Sequence, residues 1–499
     1  MHRLFTLLLS ATLVASGAPT SYASTEDLPD IGSPAQAAIT LEDEYRVGRM
    51  IVRGLRDADR ILEDPEISEY MQTLGDQLAS HAHDGGYRFN FFMVRDPTLN
   101  AFALPGGFIG VNAGLLLMTA NEAELAGVMA HEIAHVTQRH IARSIAAQSR
   151  QSLVSTAAML AAILIGVAGG GDAAMAGMAA AQSVALQQRI SFTRANEYEA
   201  DRVGIAVLAG ADFDPNAMPA FFETMGRRAG LSENQIPEML RTHPVSTARI
   251  AESRSRAAQY EGPWQDDSLT YSLMRERVRV LSTPAGEDPR TWYAATIGNV
   301  ADATPAEIYG QALASMIAGE PQKAVPIFRR LRDADDTVMQ YHTALGQAQL
   351  LAGRGAESLA TLEQALELFP RNVPVTIRYA ETLMREGSAQ RAHAVLLDLF
   401  NNVPPTPEQA RFIALVANAA GDVADAYYYM SEFHVLGGDL PLAVNQLQLA
   451  LAVPQLTEVQ RARFQARLDE IRQYLPKNQR PGSDGRRDGG TERVANDFG

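Results

Sequence analysis

His131-Glu132-Ile133-Ala134-His135 sets two histidines four residues apart, with a glutamate directly after the first. On a helix that spacing projects both imidazoles from one face about a turn apart, so both reach a single ion. Glu132 is turned off the histidine pair, where it can take a proton from an attacking water. The stretch reads as a zinc site with its own base. Its flanks read as helix: Asn121 followed by Glu124 has the form of a capping box, and Glu122 and Glu124 suit the positive end of a helix dipole. Leu125, Val128, Met129, Ile133 and Val136 then recur at helical spacing, and no Gly or Pro falls between Val128 and Arg150. On such a helix His140, five residues past His135, points off the ligand face and is expected to be structural or solvated.

A zinc enzyme needs a third protein ligand and one open position. The best source is Arg194-Ala195-Asn196-Glu197-Tyr198-Glu199-Ala200-Asp201-Arg202, a second helical run. Glu197 and Asp201 are four apart and share a face, so one can ligate while the other orients a ligating histidine. Glu199 falls between them, and spacing alone does not exclude it as the ligand. His243-Pro244 is the next candidate, although a histidine before a proline, taken by itself, reads as a loop or core residue.

H-E-I-A-H at 131–135, E-Y-E-A-D at 197–201 and the segment 100–111, N-A-F-A-L-P-G-G-F-I-G-V, together resemble the zinc metallopeptidase family of the CAAX prenyl endopeptidases and HtpX. The resemblance spans roughly residues 42–281. It implies a gluzincin-like α+β domain with one Zn2+ per subunit, Glu197 as the third ligand beside His131 and His135, and Asp201 as a supporting residue. In periplasmic members an H-P pair approaches the zinc, so the resemblance gives His243 two roles to choose between: a fourth ligand in a resting state, or a stabiliser of the oxyanion. Zinc in such a site lowers the pKa of a water and polarises the scissile carbonyl. Glu132 carries the water proton to the leaving amine, and without cysteine the chain has no thiol nucleophile.

Residues 87–94 are rich in aromatic and β-branched side chains and predict a strand; 102–111 predict a second, interrupted or bent by Pro105-Gly106-Gly107. A strand beside the zinc helix offers free backbone groups on which an extended peptide can add, whatever its side chains. That suits a protease for unfolded chains.

Residues 1–23 read as a signal peptide: Arg3, an apolar core at 4–14, and Ser21-Tyr22-Ala23 as a small-x-small cleavage site. Together with the resemblance this predicts the periplasm of a Gram-negative bacterium. Zero cysteines leave no disulfide and no lipidation site, and a formal net charge of −15 argues against nucleic acid as a partner. The segment 153–168 is almost wholly apolar, broken by Gly169-Gly170-Gly171, and an Ala- and Met-rich run follows to 185. It is expected to form a helical pair that packs over the active site or makes peripheral membrane contact, with an HtpX-like membrane-associated protease as the alternative.

In the second half Gly319, Gly353, Gly387 and Gly421 recur every 34 residues, with Ala324, Ser358, Ala392 and Ala426 five residues after them. Small residues there let antiparallel helices pack closely around a glycine turn. Period and pattern resemble tetratricopeptide repeats. After Gly421 the register shifts, with 424–436 and 440–452 as another pair, 408–420 as an odd helix, and 457–475 as a closing helix. The expected fold is therefore mainly α. A signal peptide (1–23) precedes an α+β metallopeptidase domain with a small sheet (34–282), a linker (283–303), an α-solenoid of repeats (304–475) and a disordered tail (476–499). A repeat array presents a surface for proteins. An exported protease of this family followed by such repeats resembles proteases that attend outer-membrane barrels. The resemblance implies unfolded or stalled outer-membrane proteins as substrates and the β-barrel assembly machinery as a partner of the repeats. The alternative is an adaptor or chaperone whose protease is latent.

Overall fold

A computed structural model of the chain describes residues 40–82, 86–146, 193–230, 238–297 and 303–475. The predicted signal peptide, the apolar segment 153–185 and the predicted tail all lie outside the described residues. No described helix is long and apolar enough to cross a membrane.

Helix α1 (Leu41–Asp57) opens under the Thr40 cap with Glu42, Asp43 and Glu44 in its first turn. Helix α2 (Pro65–Ala79) has Asp64 as its cap and a proline at its first position, where no backbone N–H is missed. Three short strands follow: β1 (Asn90–Val94), β2 (Ala101–Leu104) and β3 (Phe108–Asn112). Their order is β1-β3-β2, with β1 parallel and β2 antiparallel to β3. The second predicted strand is thus a hairpin, turned at Pro105-Gly106-Gly107. Gly106 and Gly107 both sit at positive φ, and a Cβ on Gly106 would fall 2.3 Å from the Tyr45 Cα, so only glycine lets α1 lie on this turn. Among the described residues β2 is an edge strand, packed along one side of the helix that carries the H-E-I-A-H motif.

That helix, α4 (Glu122–Thr137), follows the short α3 (Ala113–Met118). Asn121 accepts from the Glu124 N–H, while the Glu124 carboxylate accepts from the Ala120 N–H at 2.7 Å. α4 is buried nearly all round, between the sheet, α2 and the helices that follow. It ends at Thr137, earlier than the absence of Gly and Pro suggests. Arg139 takes φ +53°, and a new helix, α5 (His140–Ala146), starts there.

Helix α6 (Arg194–Gly210), capped by Thr193, packs along α4. Helices α7 (Ala217–Gly230), α8 (Glu238–Thr242), α9 (Thr247–Ala257) and α10 (Leu269–Leu281) complete the surround.

The stretch 283–303, expected as a plain linker, contains a helix, α11 (Arg290–Thr296). Its Tyr293 is buried and donates to Glu276 at 2.7 Å, and the Arg279 guanidinium lies over the Trp292 ring. Two aromatic side chains seeking cover turn a Pro- and Gly-containing connection into a packed element.

The repeats are helix pairs: α12 (Pro305–Ile317) with α13 (Pro321–Ala334), α14 (Met339–Leu351) with α15 (Gly355–Leu368), and α16 (Val373–Arg385) with α17 (Ala389–Phe400). Gly319, Gly353 and Gly387 turn each pair at positive φ. Helices α18 (Pro407–Ala420), α19 (Val423–Gly437), α20 (Leu440–Ala452) and α21 (Glu458–Tyr474) continue the stack. The odd helix predicted at 408–420 is α18, which packs on both α17 and α19. One hydrophobic core runs without a break from Met129 and Ile133 of α4 through Tyr271 and Tyr293 to Tyr309 and Leu345 of the repeats.

Candidate metal centre

α4 and α6 approach closely because Gly204 has no side chain: a Cβ there would meet the His131 backbone nitrogen at 3.1 Å and the Met218 Cε at 2.9 Å. This contact sets the distance from the histidine pair to the acids of α6.

Nε2 of His135 lies 3.0 Å from Nε2 of His131, as two histidines four apart on one helix should place them. Glu197 brings Oε1 to 3.5 Å from His135 Nε2 and Oε2 to 3.6 Å from His131 Nε2. His243, just past the end of α8, adds Nδ1 at 3.3 Å from His131 Nε2 and 3.0 Å from Glu197 Oε1. Three imidazoles and one carboxylate thus converge, all four buried. Tetrahedral ligands at about 2.0–2.1 Å from an ion stand about 3.3–3.4 Å apart. The separations here, 3.0 to 3.6 Å, fit that donor set.

Asp201, one turn beyond Glu197, places Oδ1 3.0 Å from Nδ1 of His131. The predicted site residues His131, His135, Glu197, Asp201 and His243 therefore meet in one place. Glu132 joins them at the edge of the cluster, fully buried, with neither carboxylate oxygen in a hydrogen bond and Oε1 3.5 Å from His243 Nε2. Glu199 goes elsewhere: its carboxylate meets His140 Nε2 at 3.1 Å and Arg143 at 2.7 Å.

Two features were not foreseen. Arg249 of α9 is buried and grips Asp201 through Nε and Nη2 at 2.6 and 2.7 Å, while Nη1 reaches Glu197 Oε2 at 2.6 Å. Its planar fork suits two carboxylates at once. Ser253, one turn on, also donates to Asp201 at 3.3 Å. The stripe Arg249, Ser253, Ala257 is the buried face of α9, a helical period that the neighbouring Arg254 and Arg256 obscure in the sequence. The second is His140. It is neither solvated nor turned away, because the left-handed Arg139 resets the helix and brings His140 Nδ1 to 2.8 Å from His135 Nδ1.

The electrostatics follow from burial and these partners. Burial works against charge on His131, but hydrogen bonds to Asp201 and Glu197 outweigh it and push the imidazole up to about 9. Burial, reinforced by His131 and His243, pulls His135 well below the ordinary imidazole value. Burial also penalises the two carboxylates, yet His243 and His131 hold Glu197, and Arg249 holds Asp201, below the usual carboxylate range.

Residues 63–257 match the model of peptidase family M48, and residues 349–419 match a tetratricopeptide-repeat model. A putative beta-barrel assembly-enhancing protease of Vibrio cholerae is 34% identical over 450 residues, covering 89% of this chain and 92% of that one. The beta-barrel assembly-enhancing protease of Escherichia coli K12 is 32% identical over 473 residues, with 93% and 95% covered. The mitochondrial metalloendopeptidase OMA1 of Arabidopsis thaliana is 31% identical over 191 residues, 38% of this chain and 36% of the relative. That family carries a catalytic metal, and the buried histidine–glutamate cluster falls inside the matched region. The chain belongs to peptidase family M48, as a metalloprotease that also carries tetratricopeptide repeats.

Proposed function

We propose that His131, His135 and Glu197 hold one catalytic zinc and that the chain uses it to hydrolyse peptide bonds in misassembled outer-membrane proteins. The observation that carries this is the convergence of three buried imidazoles and one carboxylate beside a carboxylate with no donor of its own, Glu132. An unsatisfied buried carboxylate is costly, and such groups are kept where chemistry needs them. Zinc bound here supplies Lewis acidity to the scissile carbonyl and to the attacking water. Glu132 takes the water proton on a carboxylate oxygen and delivers it to the leaving amine. Asp201 fixes the His131 ring through Nδ1, and Arg249 fixes Asp201. The edge of β2 that pairs with no strand among the described residues would receive the substrate as an added strand, through backbone hydrogen bonds that tolerate any sequence.

His243 faces both Glu197 and Glu132, so it suits a resting state in which a fourth ligand covers the position that water needs. Turned toward the substrate carbonyl, the same imidazole would stabilise the oxyanion.

The relatives named as beta-barrel assembly-enhancing proteases align with this chain over 89% and 93% of its length, across both its peptidase and its repeat regions. In our reading the protein is exported to the periplasm, with a metallopeptidase unit at 34–282 and repeats at 304–475 that dock the β-barrel assembly machinery and assist assembly. The test uses the purified full chain with an unfolded outer-membrane barrel protein and its folded form. Zinc-dependent cleavage of the unfolded form alone supports the reading; no cleavage of either, with zinc bound, contradicts it.

A further inference from the structure

Helix α6 presents three acids at alternate positions, Glu197, Glu199 and Asp201, and each meets histidine. Glu197 enters the donor cluster, and Asp201 meets His131 Nδ1 directly at 3.0 Å. Glu199 meets His140 Nε2 at 3.1 Å, and His140 Nδ1 in turn lies 2.8 Å from His135 Nδ1. Arg143, on the same short helix as His140, pins the Glu199 carboxylate at 2.7 Å. His140 is fully buried, so the histidine end of this row is packed in place.

The protons in this row have one consistent arrangement when a cation is bound. His135 faces the cluster with Nε2, 3.0 Å from His131 Nε2 and 3.5 Å from Glu197. A nitrogen that gives its lone pair to a metal carries no hydrogen, so neutral His135 carries its hydrogen on Nδ1. Two N–H groups cannot face each other at 2.8 Å, so His140 accepts at Nδ1 and keeps its hydrogen on Nε2. That hydrogen points to an ionised acceptor, Glu199.

We propose that His140 and Glu199 are positioning residues for His135, holding its ring and tautomer ready for the metal as Asp201 does for His131. Partners of this kind orient ligands and raise their basicity. The proposal rests on the zinc reading above. It gives the middle acid of E-Y-E-A-D a role, and it makes the break at Arg139 functional, since an unbroken helix would carry His140 away from His135.

The test compares the full-length wild type with His140→Leu and with Glu199→Gln. The dissociation constant for Zn2+ is measured on metal-stripped protein by competition with a chromophoric chelator, and the visible spectrum is recorded after loading with Co2+. His140→Leu is expected to weaken zinc by about 10- to 100-fold, Glu199→Gln by a smaller factor, and both to shift the cobalt bands. Circular dichroism of the stripped proteins checks that each variant is folded. Glu199 is partly exposed, so Glu199→Gln carries the test even where His140→Leu does not fold. Wild-type affinity and a wild-type cobalt spectrum in either folded variant overturn the proposal. Failure of the wild type itself to bind one equivalent of zinc overturns the metal reading instead.

Discussion

Arg378, on the first helix of the third repeat, donates at 3.0 Å to the carboxylate of Asp64, the residue that caps α2 of the peptidase unit 314 positions earlier. The same guanidinium reaches Glu66, and Arg277 of α10 completes the cluster from the other side, bidentate to Asp64 at 2.7 Å. Tyr309 accepts from Arg277 at 2.8 Å. Arg49 and Arg53 of α1 reach Val435 and Asp439 at the far end of the stack. Part of the repeat surface is therefore occupied by the chain's own peptidase helices, which leaves only the remainder open to the docking proposed above.

Breaking this cluster leaves buried charge behind. With Arg378→Met, two carboxylates face Arg277 alone, and loss of one member of a buried ion cluster costs about 3–5 kcal/mol. Urea unfolding should show a loss of that size, together with easier proteolysis between the two units. A loss below about 1 kcal/mol would mean that the cluster does not couple them.

The same interface should respond to pH. Asn372 of the repeats donates to Glu69 at 3.0 Å, and burial pushes Glu69 up to about 7, with Glu66 adding to the shift and Asn372 opposing it. The folded state then holds a proton that the unfolded chain releases above its value of 4.5. Stability therefore falls as pH rises from about 4.5 to 7, by at most about 3 kcal/mol for this group. Glu69→Gln mimics the protonated side chain. Its advantage over wild type in denaturant unfolding should be near zero at pH 4.5 and grow toward pH 8; a gap that does not change with pH contradicts this.

Gly204→Ala tests the helix contact beneath the site. Alanine gains about 1 kcal/mol of helix propensity, but its Cβ meets the backbone of α4, which cannot step aside. Overpacking of this kind costs about 1–3 kcal/mol. The expected outcome is a lower melting temperature and weaker zinc binding, because Glu197 is carried away from the histidines. A more stable variant with unchanged affinity would show that the spacing is not set here.

His243→Ala should lower zinc affinity by tenfold or more and alter the peptidase rate, because Nδ1 stands among the donors and Nε2 faces Glu132. If the variant changes neither quantity, His243 has no part in the site.

Local signals in the sequence were reliable where one residue type does one job. The cap at Asn121, the turn glycines Gly319, Gly353 and Gly387, and the pairing of His131 with His135 all stand where spacing put them. The first predicted strand starts at Asn90 and not at 87, because Tyr87 is drawn off to hydrogen-bond with Glu44 of α1. The end of α4 was illegible because a non-glycine residue, Arg139, takes the left-handed conformation, held by an ion pair to Glu44. Arg249 and Arg378 were illegible for a common reason. Each is a charged residue of a type that mostly stays at the surface, and only partners far along the chain show that it is buried.

The most direct measurement is zinc content and peptidase rate for wild type and Glu132→Gln, prepared side by side. Both should hold one zinc per chain, and the variant should lose at least 100-fold in cleavage of an unfolded barrel protein, roughly what a missing general base costs. A variant that cleaves at the wild-type rate, or a wild type that cleaves without zinc, would contradict the assignment of base and metal.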